Sequence, residues 1–165
     1  MLLTLFLALV CCSSITLLLI AAVAFVQKNE FFSSAPKEVR ELLKPRNKEL
    51  FRGAHTFGWV LMILSSLSIM SAFVIAIWDG LRNNYTFLQF FIRFVLMLTI
   101  YKLYDMVFFD WFLLCKFGFF QYYFPETAPA LKGRRYGFNI RSQLLKLFVI
   151  FPAVSVLAAW ICTLF

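Results

Sequence analysis

No signature of catalysis, cofactor binding or transport stands out of this chain, and several residue types that soluble proteins use freely are scarce. Only 15% of its 165 residues are charged, against about a quarter in an average soluble domain. There is one histidine, His55, and a lone imidazole among separated acids is a weak basis for catalysis. The four cysteines contain no Cys-x-x-Cys pair, which removes the thiol-oxidation chemistry such a pair supports. Cys11, Cys12 and Cys162 fall in apolar stretches; Cys115 is juxtamembrane and placed for S-acylation, with an inert buried thiol the plainer reading. Internal repeats and low-complexity linkers are also missing.

What is abundant is apolar length. Hydrophobic residues make up 62% of the chain, with 22 phenylalanines. One soluble core of this size cannot hide so much apolar surface, whereas lipid covers the excess. Four stretches, at about 1–26, 54–78, 85–114 and 144–165, are each long enough to cross a hydrocarbon core of ~30 Å, which takes about 20 apolar residues. The expected fold is all-α: a polytopic integral membrane protein of one domain, with four transmembrane helices in an antiparallel bundle and a short cytoplasmic amphipathic helix. Ala22-Val23-Ala24 offers a small-residue cleavage site. The first stretch nevertheless lacks a basic leader and is too long for a signal peptide, so it is expected to remain as a helix.

The formal net charge of +8 is distributed as an orientation signal. The 27–53 loop carries seven Lys and Arg, the 115–143 loop five, and the 79–84 connection only Arg82. Basic residues concentrate in cytoplasmic loops, so both long loops are expected in the cytoplasm and both termini on the far side. The same cations attract anionic head groups, at about 1 kcal/mol each near the surface; nucleic acid is not an expected partner. Asn84-Tyr85-Thr86 matches a glycosylation acceptor but touches the membrane edge and is expected to stay unmodified.

Both long loops have internal order. Ser33-Ser34 and Pro36 resemble a helix start, and Val39, Leu42 and Leu43 then fall on one face, opposite Lys37, Glu38, Arg40, Glu41 and Lys44, until Pro45. Such a helix is expected to lie on the membrane surface, with packing on the protein as the alternative. In the second loop the apolar run from Tyr85 reaches Phe124. As one helix it would be about 60 Å long, twice the membrane core, so a bend is expected near Lys116-Phe117-Gly118. Lys132-Gly133-Arg134-Arg135-Tyr136-Gly137 then forms a basic turn suited to phosphate contacts.

The informative residues are ionisable groups within the helices, because charge is costly there and marks functional or paired positions. Matching depths in an antiparallel bundle sets residue 54 and residue 143 level with residue 110. Arg52, His55, Lys102, Asp105, Asp110 and Lys146 then gather near the cytoplasmic side. Lys102–Asp105, His55–Asp110 and Lys146–Asp105 are the expected pairs. In an α-helix Asp105 and Asp110 point about 140° apart, a poor chelating or acid–base pair. Arg93 is expected to reach toward Asp79, with Gln89 one turn above. Ser13, Ser14 and Thr16 should face Ser65, Ser66, Ser68 and Ser71 as a packing seam.

The function expected from this pattern is a lipid-interacting or accessory assembly protein with a cytoplasm-facing polar cluster. Arg52, Lys102, Lys146, Arg134, Arg135 and Arg141 are the head-group candidates. The alternative is a membrane-embedded enzyme acting on a lipid or hydrophobic substrate, with His55, Asp105 and Asp110 as its first residues. An oligomeric transporter or channel subunit comes third. Neither cofactor nor metal is expected; the partners are membrane lipids and a membrane protein or second copy of the chain.

Overall fold

The structure, a computed structural model, describes residues 1–32, 35–44, 49–133, 137 and 140–164. Among them there is helix and no strand. Four helices are long and apolar enough to span a membrane: α1 (Leu2–Val26), α3 (Ala54–Arg82), α4 (Phe87–Lys116) and α7 (Ile140–Cys162). Between them lie the short helices α2 (Lys37–Leu42), α5 (Phe119–Tyr123) and α6 (Ala128–Leu131). Relative to expectation, α3 runs four residues further and α7 starts four earlier, because Asp79 and Arg82 at one end and Arg141 at the other do not break a helical backbone.

Each boundary has a local cause. α1 stops where Gln27 turns left-handed at φ 52° and its N–H reaches back to Ala22 O at 2.9 Å. The α3–α4 turn is tight: Asn84 adopts φ 48°, and the Thr86 N–H donates to Gln89 Oε1 at 2.8 Å to cap α4. The expected break after α4 is present. Gly118, at φ 65°, turns the chain into α5, and Gln121 Nε2 donates to the Leu114 carbonyl at 3.0 Å.

The four long helices pack in the order α3, α1, α4, α7. Two separate cores hold them. At the end bearing the 83–86 turn, Ala8, Ala72, Ala76 and Ala159 let backbones approach and close around Phe90, Phe94 and Met97. Gly80 lies directly under the Phe90 ring, leaving no room for a β-carbon. At the opposite end the two long loops fold over the helices as a cap, burying Val39, Leu43, Phe120, Phe124 and Leu131 with Val23 and Leu114. The Lys44 N–H donates to Glu126 Oε1 at 3.4 Å, joining the loops.

This cap corrects the expectation for α2. Val39 is fully buried and Leu43 nearly so, so protein rather than acyl chain covers most of its apolar face; only Leu42 is exposed. The expected hydroxyl seam is present at one point, where Ser14 donates to Ser68 at 2.9 Å. Thr16 instead shares a 2.9 Å hydrogen bond with Tyr104 of α4.

Candidate functional site

Between the two cores the helices separate, and a cavity of about 770 Å³ opens at the loop end. Its floor is apolar, from Leu18, Leu19, Ala22 and Val23 of α1 and Phe109 of α4; Met62 of α3 and Ile150 and Phe151 of α7 form the sides. One wall is polar: Tyr101, Lys102, Asp105 and Asp110 of α4 face Ser142, Gln143 and Lys146 of α7. Phe31 and Phe120 close the loop side.

Three of the four long helices change winding where they line this space. Ala21–Val26, Asp105–Lys116 and Lys146–Ile150 are π-helical. In α7 the π segment ends two residues before Pro152, whose missing N–H leaves the preceding turn without its usual donor. In α4 the consequence concerns chemistry. Hydrogen bonds from i to i+5 bring residues five apart onto one side of the helix, so Asp105 and Asp110 share the cavity wall. The 140° separation expected from α-helical geometry is thereby overturned.

Lys102 is 4% exposed, and its Nζ donates to Asp105 Oδ2 at 2.5 Å, the expected intrahelical pair. Asp110 meets α7 at the expected register, but through a different residue. Gln143 Nε2 donates to Asp110 Oδ2 at 2.8 Å, while Gln143 Oε1 is buried without a donor. Lys146 stands exposed beside the same cavity and makes no ion pair among the described residues, so the expected Lys146–Asp105 bridge is replaced by two groups sharing a wall. Asp110 is within electrostatic range of Asp105, Lys102 and Lys146.

His55 is elsewhere. It accepts from Trp59 Nε1 at 3.2 Å on its own helix, and does not line the cavity. Arg52 and Arg141 are exposed outside it, and Arg134 and Arg135 lie outside the described residues. The separation of His55 from Asp110 has a packing reason: α3 sits against α1, with Gly58 touching Phe25 and Val26, and α1 intervenes between α3 and α4 at this end.

Gln143, Ser142, Tyr101 and Gly137 belong to the site and were not expected there. The register that levels residue 143 with residue 110 already pointed at Gln143; attention to charged groups alone passed over it. Gly137, at φ 67°, presses so closely on the Asp110 side chain that a β-carbon would fall 2.5 Å from Asp110 Cβ. Its N–H donates to Cys115 Sγ at 3.3 Å.

A second polar cluster is structural. Arg93, 4% exposed, donates to Ala76 O at 2.7 Å and to Tyr85 Oη at 2.8 Å. It pairs with Asp79 at 2.8 Å, and its guanidinium covers the Tyr85 ring at 4.4 Å. Asp79 was expected; Tyr85 and the Ala76 carbonyl were not, and Gln89 is occupied in capping α4 instead. Comparison with known proteins adds no analogue for either cluster: no family model, no curated protein and no solved structure matches the chain.

Proposed function

We propose that this is a multi-pass membrane protein that holds a membrane lipid in the cavity at its loop end and serves as a lipid-interacting or accessory protein. The carrying observation is the cavity itself. It combines an apolar floor with a single polar wall and lies between helices at one end of the molecule. A ligand with both a charged head and a hydrocarbon body matches such a surface, since each part meets its own kind of solvent.

Membrane insertion accounts for the outward surface. Phe57, Ile63, Leu64, Leu67, Met70 and Val74 of α3 are all more than half exposed, a continuous apolar face that water would penalise. In the proposed topology the spanning helices alternate in direction, both termini are non-cytoplasmic, and the basic loops lie against anionic cytoplasmic head groups. α2 then sits at the cytoplasmic surface with Lys37 and Arg40 outward.

The test is photo-crosslinking in bilayers, using a phospholipid with a diazirine in its acyl chain. Crosslinks to peptides containing Leu19–Val23 and Phe109, reduced by the cavity-filling Ile150→Trp, are expected. Labelling confined to the outward faces of α3 and α7, unchanged in that variant, would refute the reading.

A further inference from the structure

The charges on the cavity wall narrow the class of lipid. Resting on the lipid-binding reading above, we infer that the cavity selects a phospholipid whose head group carries a primary ammonium beside its phosphate. The ammonium donates to Asp110 and the phosphate meets Lys146.

Among the described residues, four ionisable groups besides Tyr101 line the space, two cations and two carboxylates. Lys102 and Asp105 are committed to each other at 2.5 Å. The groups left are one of each sign, Asp110 and Lys146. A head group bearing only negative charge would satisfy Lys146 and leave Asp110 facing a like charge, whereas a zwitterion satisfies both. Anionic lipids in the surrounding leaflet are thus a separate matter, served by the exposed loop cations.

The hydrogen-bond inventory favours N–H donors over bare positive charge. An ionised carboxylate has about four acceptor sites, and one Gln143 N–H meets Asp110. A primary ammonium brings three N–H groups to this carboxylate, and a quaternary ammonium brings none. Past Phe109 and Asp110 lies a smaller recess of about 70 Å³ whose other walls include Leu113, Leu114 and Phe119.

The experiment is competition on the delipidated full chain in mild detergent. Phosphatidylethanolamine, phosphatidylcholine and phosphatidylglycerol with identical acyl chains are supplied in equal amounts, and retained lipid is counted by native mass spectrometry. The ethanolamine lipid should exceed the choline lipid by about tenfold or more, as expected for loss of a charge-assisted hydrogen bond. Asp110→Asn should bring the two within about twofold. Lys146→Gln, at an exposed position where folding is not at stake, should lower retention of both. Equal retention of all three lipids, preference for the glycerol lipid, or indifference to either variant overturns the head-group assignment while the lipid-binding reading stands. Retention of no lipid at all overturns both. Glycerophosphoethanolamine, which lacks acyl chains, should bind far more weakly; binding as strong as the intact lipid's would make a soluble head-group compound the ligand and overturn the lipid source.

Discussion

Replacing Arg93 by methionine isolates the worth of the buried cluster at the turn end. Methionine keeps the aliphatic bulk and removes every donor. Three hydrogen bonds disappear, to Ala76 O, Tyr85 Oη and Asp79. Interhelical hydrogen bonds in bilayers average about 0.6 kcal/mol, so their direct loss costs about 2 kcal/mol. Asp79 is then left without its cation, which adds about 1 kcal/mol; the penalty is limited because its side chain is 24% exposed and keeps the 3.1 Å bond from Asn83 Nδ2. The expected total is about 3 kcal/mol, measured by reversible SDS titration of the detergent-solubilised protein. Adding Asp79→Asn should recover about 1 kcal/mol by removing the stranded charge. A loss below about 0.5 kcal/mol for Arg93→Met, or a double variant no more stable than the single, would show that water or lipid reaches the cluster and that the buried network is not holding α3 to α4.

Three further outcomes follow from the packing. Gly80→Ala should destabilise by about 1–3 kcal/mol, because Phe90 is fully buried beneath it; an unchanged SDS midpoint would mean that the helices part there freely. Ser14→Ala and Ser68→Ala should each cost about 0.5 kcal/mol and their double variant little more than either, since they share one bond; additive losses would show that the two hydroxyls act separately. In sealed membranes of known orientation, the proposed topology requires a cysteine at Asn83 to react with an impermeant maleimide from the non-cytoplasmic side and one at Lys37 from the cytoplasmic side only, with native cysteines replaced by serine. The opposite pattern would invert the orientation.

The partial legibility of the site has physical reasons. Lys102 and Asp105 were readable as a pair because their contact lies within one helix, where spacing alone decides geometry. The Asp110 contact was half readable: antiparallel register placed residue 143 opposite, yet which side chain of α7 reached across depended on rotation about its axis. His55 was misplaced because depth matching locates a residue along the membrane normal and says nothing of its azimuth. Only packing showed α1 standing between α3 and α4 at the loop end.

By itself the sequence determined the number, type and approximate extent of the four helices long and apolar enough to span a membrane, since apolar length and the cost of burying charge are local properties. It also located the break near Gly118 and a short connection at about 79–84, which the structure narrows to the residues after Arg82. Tertiary structure decided the rest. Ala8, Ala72, Ala76 and Ala159 let four helices close at the turn end, while the Phe-rich loops capped the other end and left a space between. The π-helical winding of Asp105–Lys116 then turned two acids onto one wall. Such winding arises from how the backbone accommodates its neighbours, and no spacing rule for an α-helix anticipates it.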